Sequence, residues 1–235
     1  MPSIGTSTLS LAILVASYFH NLCTTSPNQA NTLYRTDRIH FIASTVVVIG
    51  TQLSSLVNLY HALVILFFTS SPADRDIVAR ICPYPERLNP DAVAWNPRTV
   101  GYLAIFAIGT YVRLSAYGGL GRNFTFQLST PDRLVTTGVY RYLQHPSYTG
   151  LLLVEVSHIG LVVNCLDTPA ACWIPNMLLG LLRDWQVPML VSGAAIGCAI
   201  LGVRMRDEER MLREKFGKEW EVWHASTARL IPGFF

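Results

Sequence analysis

The sequence predicts an all-α fold, a polytopic integral membrane protein with about five transmembrane helices and a cytosolic C-terminal helix. Composition is the first ground for this. Of 235 residues 51% are hydrophobic and only 14% charged, and the mean hydropathy is +0.34, whereas about a quarter of the residues in a soluble domain are charged. Segregation is the second: the apolar residues fall in long blocks, several near the roughly 20 residues that a spanning helix needs. The last 32 residues are the third, since they hold seven of the 18 Lys and Arg. By the positive-inside rule that density puts the C-terminus in the cytosol. A net charge of only +3 makes nucleic acid an unexpected partner.

The elements follow in order. A first, short span is expected over about 6–20; the segment before it carries no basic residue, and it reads as retained rather than cleaved because the rest of the chain is membrane-like too. A second covers about 41–69, too long for one upright crossing and too short for two, so a tilted helix is expected. Residues 71–98 read as a Pro-rich polar loop with four Arg. The third span runs over about 99–117, with Arg113 snorkelling from its end. A polar connector then leads to a fourth span over about 147–164. Residues 166–186 read as a short interfacial or re-entrant piece, and the fifth span covers about 187–204. Two regions result: 1–98 with the N-terminal spans and polar loop, and 99–235 with the connector, a membrane hairpin and the charged tail. The five cysteines lack CxxC spacing, so neither a disulfide nor a metal site is expected from them.

Candidate functional residues gather at the two ends of that hairpin. Residues 138–150 read GVYRYLQHPSYTG. Pro146 keeps His145 extended and starts a helix, and Ser147 then lies in a first turn that favours an anionic group. Tyr140, Tyr142 and Tyr148 offer aromatic faces and hydroxyls; Tyr142 by itself suits the membrane aromatic belt. On the tail, Arg204 and Glu208 are four apart, hence on one helical face where the chain leaves the bilayer. An ordinary solvated helix laced with ion pairs would show the same charge pattern. Glu155 and His158 share a face inside the fourth span, where an interhelical hydrogen bond and a functional role are both open. GGLG at 118–121 has no βαβ context and is not a dinucleotide loop. Asn123-Phe124-Thr125 is a formal glycosylation acceptor that the cytosolic orientation leaves unused.

QHPSYTG at 144–150 and EERML at 208–212, followed by ARLIP at 228–232, resemble the protein-S-isoprenylcysteine carboxyl methyltransferase family, whose pattern is RHPxYxG, a helical hairpin, then EExxL. The likeness covers roughly 99–235. Gln144 stands where the family has Arg, so that guanidinium is missing or supplied by Arg141. The resemblance implies methyl esterification, by S-adenosyl-L-methionine, of the C-terminal carboxylate of farnesylated or geranylgeranylated CaaX proteins at the endoplasmic reticulum membrane. It also implies cofactor contacts from Gln127, Leu134, Val135, Tyr140, His145, Ser147, Tyr148 and Glu208. Arg204 would bind the substrate carboxylate, which makes Arg204 and Glu208 the catalytic pair. Two other functions remain open at this point: a membrane methyltransferase acting on an amine such as a phospholipid headgroup, and a non-enzymatic membrane scaffold or transport protein.

Overall fold

The structure is a computed structural model that describes residues 3–29, 45–68, 72–163 and 168–232. Among these the regular structure is helical throughout, apart from one isolated parallel bridge between Leu143 and Ala228. The chain divides into two compact units. The first comprises Met1–Asn21, Thr51–Ala107 and Val154–Leu190; the second comprises Leu22–Gly50, Ile108–Leu153 and Val191–Phe235.

Helix α1 spans Ile4–Thr24 and is capped by Ser3, whose Oγ accepts from the Thr6 N–H at 3.1 Å. Helix α2 spans Val47–Phe67, inside the 41–69 segment, whose outermost residues 41–44 and 69 lie outside those described. The stretch read as a loop is partly helical. Pro72 opens α3, Pro72–Ile81, because a proline at the first helical position gives up only an N–H that would be unbonded there. Two short 3₁₀ turns follow, Pro85–Arg87 and Pro90–Val93. Helix α4, Pro97–Leu120, has another such proline, and the Asn96 side chain accepts from the Thr99 N–H at 2.9 Å.

Cys82 and Cys172 form a disulfide, which corrects the expectation of none. Their sequence separation of 90 hides the pairing from any spacing rule. Helix packing brings the end of α3 to the 3₁₀ turn Pro169–Trp173, and Leu9, Ile13, Ala62, Val64 and Ile65 complete a buried cluster around both cysteines.

Helix α5, Pro146–His158, begins at the expected proline and continues as a π-helical turn, Ile159–Val163. It lies close against α4 within each unit. A Cβ at Gly150 would fall 2.6 Å from the Arg113 nitrogen, and one at Gly160 would land on the Tyr102 ring. Only glycine permits these approaches.

Residues 176–186 of the interfacial piece expected over 166–186 and the span over 187–204 are instead parts of one helix. Helix α6 runs unbroken over Asn176–Phe216, 41 residues with Pro188 inside. At 1.5 Å per residue it is about 60 Å long, roughly twice the hydrocarbon thickness. One proline removes one backbone hydrogen bond, too little to end a helix otherwise rich in Leu, Met and Ala. Met177, Leu181, Trp185, Val187, Met189, Val191 and Ile196 are exposed along it. So long an apolar stripe needs a lipid or protein cover. Gly217, at φ +51°, breaks the chain into α7, Lys218–Ser226. Among the described residues α2, α4 and α6 are long and apolar enough to cross a membrane.

Removing the disulfide tests this packing. Cys172→Ala is expected to lower Tm, and the chain-entropy model sets about 4–5 kcal/mol as the ceiling for a closed loop of this length. Peptide mapping without reductant is expected to recover the segments around Cys82 and Cys172 as one linked species.

Candidate functional site

The 138–150 stretch folds as a turn, an extended pair and a helix start. Gly138, at φ +62°, opens the 3₁₀ turn Gly138–Arg141. Tyr140 points inward while Arg141 and Tyr142 face out; exposure of Tyr142 agrees with a belt position. Residues 144 and 145 then pair with the chain's end: the Gln144 N–H donates to the Ala228 carbonyl at 2.8 Å and the His145 N–H to the Arg229 carbonyl at 3.0 Å. The Thr149 hydroxyl donates to the Leu230 carbonyl at 2.7 Å. The ARLIP segment is therefore a strap laid along the QHP segment.

Side chains extend this seam onto α6. His145 Nε2 lies 3.2 Å from Glu209 Oε1, and Arg229 grips the same carboxylate at 3.1 Å on both oxygens, through Nε to Oε1 and Nη2 to Oε2. Burial would raise the Glu209 carboxyl, but the hydrogen bond to His145 and the charges of His145 and Arg229 outweigh it and hold the group below its usual range. One residue earlier, Glu208 Oε2 accepts from the Tyr148 hydroxyl at 2.8 Å. His145 Nδ1 is buried with no hydrogen-bond partner, 3.9 Å from Glu208 Oε2. Arg204 sits one turn before Glu208, also buried, and donates to the Phe126 carbonyl at 2.7 Å. The structure thus brings Arg204, Glu208, His145 and Tyr148 together within the second unit.

The other expected site residues have different surroundings. Leu134 and Val135 pack with Tyr140 against Ala116, Trp220 and Trp223. Trp223 Nε1 donates to the Tyr140 carbonyl at 2.9 Å, and the Tyr140 hydroxyl to the Ala116 carbonyl at 3.3 Å. Burial pushes the Tyr140 hydroxyl pKa up, and the Glu208 charge adds to this, so it stays protonated. Gln127 is half-buried beside Phe126, its carbonyl accepting from the Thr125 hydroxyl at 2.6 Å. Ser147 is occupied by Arg113, whose Nη1 reaches its carbonyl at 2.9 Å and its Oγ at 2.6 Å.

Arg113 itself corrects the snorkelling expectation. It is 4% exposed and also donates from Nε to the Cys23 carbonyl at 2.8 Å. The Cys23 carbonyl, left over at the end of α1, together with the Ser147 hydroxyl and carbonyl, outbids interfacial water for its guanidinium. Gln144 likewise has a definite role. It is 5% exposed, and its Nε2 donates to the carbonyls of His224 at 3.1 Å and Thr227 at 2.7 Å. Its Oε1 lies 2.8 Å from His224 Nδ1. Burial lowers the His224 pKa, consistent with a neutral ring donating from Nδ1. Arg141 is exposed. Glu209, Arg229, His224 and Arg113 carry much of this architecture; Glu209 and Arg229 lie inside the EERML and ARLIP segments, but the sequence assigned them no role, and it marked neither His224 nor the burial of Arg113.

The family model of the isoprenylcysteine carboxyl methyltransferase (ICMT) family matches residues 102–184. The chain is similar to that family. A protein-S-isoprenylcysteine O-methyltransferase from Dictyostelium discoideum is 28% identical over 129 residues, 53% of this chain and 45% of that protein. Probable protein-S-isoprenylcysteine O-methyltransferases from Oryza sativa subsp. indica and subsp. japonica are each 29% identical over 142 residues, 59% of this chain and 62% of theirs. The alignments therefore span about half to three-fifths of these relatives. The match to the ICMT family model takes in QHPSYTG and stops short of Arg204 and Glu208, so the contact between the two segments rests on the fold and not on that match.

The strap makes a direct prediction. Gln144→Ala leaves the carbonyls of His224 and Thr227 short of a donor and is expected to cost about 2–3 kcal/mol, read as a lower Tm with faster proteolysis at residues 226–230. Gln144→Arg keeps donors for both carbonyls but loses the acceptor for His224 Nδ1, and should fall between wild type and Gln144→Ala.

Proposed function

We propose that this protein methylates the C-terminal carboxylate of a farnesyl- or geranylgeranylcysteine on CaaX-processed proteins, using S-adenosyl-L-methionine. The observation that carries this is the hydrogen bond from Tyr148 of the HPSY segment to Glu208 of α6, with Arg204 one turn away on the same helix. It joins the two halves of the family pattern in one place.

The residues fit such a cofactor. The Glu208 side chain keeps 27% of its surface, so its carboxylate remains open to an amino or hydroxyl group. The buried, unbonded Nδ1 of His145 faces the same side. Tyr140 and Tyr148 supply aromatic walls of the kind that suit a cation. When bound, the cofactor supplies an activated methyl group on a sulfonium. Arg204 would hold the acceptor carboxylate in a charge-assisted pair without protonating it. A carboxylic acid is ionised at neutral pH, so neither His145 nor Glu208 has to remove a proton. The task left to the protein is placement and exclusion of water, which can contribute on the order of 7–11 kcal/mol.

In this reading α1, α2, α4, α5 with its π turn, and α6 are the five spans. The C-terminus and the site face the cytosol of the endoplasmic reticulum membrane, where the prenyl chain would enter from lipid. The Cys82–Cys172 disulfide supports an oxidising, lumenal side for the segments that carry it.

Protein in lipid is expected to transfer labelled methyl from S-adenosyl-L-methionine to N-acetyl-S-farnesylcysteine as a base-labile ester. Arg204→Ala should lower kcat/KM about 10- to 100-fold, as for a lost charge-assisted hydrogen bond. Tyr148→Phe should weaken S-adenosylhomocysteine binding roughly tenfold. Folded wild-type protein that transfers no methyl to either prenylcysteine would overturn the assignment.

A further inference from the structure

A second polar cluster lies apart from the methyl-transfer residues, wholly within the first unit. Glu155 and His158 are three residues apart on α5, so they leave one face of the helix. Helix α1 brings His20 to them: its Nε2 is 3.2 Å from Glu155 Oε1, and its ring stacks on that of His158 with centroids 4.3 Å apart. One ligand atom from each of the three comes within 4.8 Å of the others. Helix α2 adds Ser54 and Asn58, each 3.1 Å from His158 Nε2. His20, Asn58 and His158 are buried. So many polar groups among apolar helices are costly unless satisfied, and such groups mark functional positions.

The geometry points to a divalent transition-metal site of the zinc class, formed by His20, Glu155 and His158. Two imidazole nitrogens and one carboxylate oxygen are a donor set that zinc accepts, with a coordination position left over. Zinc ligands stand about 2.0–2.2 Å from the ion, so the three donors must draw together by about an ångström. For an imidazole bound through Nδ1, the Ser54 hydroxyl can accept from the His158 Nε2–H as an outer partner does, and the Asn58 amide, which presents its Nδ2 there, has to turn its oxygen to the ring. On binding, the ion takes the place of the proton shared between His20 and Glu155, and that proton leaves to solvent. The Glu155 carboxylate offsets one of the two positive charges. The ion would cross-brace α1 and α5, whose linked residues are 135 apart in sequence.

The test uses full-length protein purified in detergent without a polyhistidine tag, stripped with chelator and dialysed against buffered micromolar zinc. Elemental mass spectrometry is expected to find about one zinc per chain, and cobalt in its place should show visible d–d absorption. Zinc should raise the Tm of the stripped wild type. His158→Asn and Glu155→Gln should each lower zinc retention about tenfold or more and abolish that rise. Cys198→Ser, which removes an exposed thiol, should leave the zinc count unchanged. Wild-type protein that retains no zinc, or no more than the two variants, overturns the proposal and leaves a hydrogen-bonded brace in its place. The wild-type count decides even where a variant fails to fold.

Discussion

The second unit depends on the seam where residues 144–145 pair with 228–229 and close on Glu209. Two backbone hydrogen bonds set the register. The Glu209 carboxylate, held between His145 and Arg229, then ties both strands of the seam to α6. Each group alone would be poorly placed. A buried imidazole needs a partner, and an exposed Arg–Glu pair contributes little. Together they satisfy one another at the edge of a buried region, where attraction is stronger than in water. With His145 held by Nε2, its Nδ1 and the neighbouring Tyr148 hydroxyl turn toward Glu208.

The length of α6 makes that meeting possible. A helix about twice as long as the hydrocarbon is thick needs no separate domain to place charged side chains beyond the lipid. Its apolar stretch and its Arg204, Glu208 and Glu209 turns are one continuous helix, so the site inherits the helix's position. Gly217 ends that helix and returns α7, whose Trp220 and Trp223 pack around Tyr140. The same turn delivers His224 to Gln144. Gln144 is thus tied to a histidine 80 residues later. An amide gives two donors to carbonyls as an arginine can, and adds the acceptor that a neutral His224 requires.

Much of this was legible in the chain itself. The Pro146 helix start, the shared face of Arg204 and Glu208, and the partnership of HPSY with EERML follow from local rules and a family pattern. Pattern and composition also identified the helical membrane class, because apolar blocks of roughly 20 residues match the thickness of a bilayer. Local rules failed where the deciding force was not local. The α6 helix runs through Pro188 and joins residues 176–186 to the expected fifth span, since one missing hydrogen bond weighs little against the rest of a 41-residue ladder. Asp and Arg in the 71–98 stretch looked like loop residues, yet ten of these positions form α3.

What the sequence by itself determined is the set of periodic, local features: apolar lengths, helix starts at proline, and the i, i+4 placement of charges. Only the tertiary structure decided which distant groups meet. It paired Cys82 with Cys172, buried Arg113 against the end of α1, and gave Gln144 its partner in α7. It also stacked His20 on His158. The physical reason is the same in each case. A buried polar group or thiol is satisfied by whatever the packing brings near, and that neighbour lies from 80 to 138 residues away along the chain, beyond the reach of any local pattern.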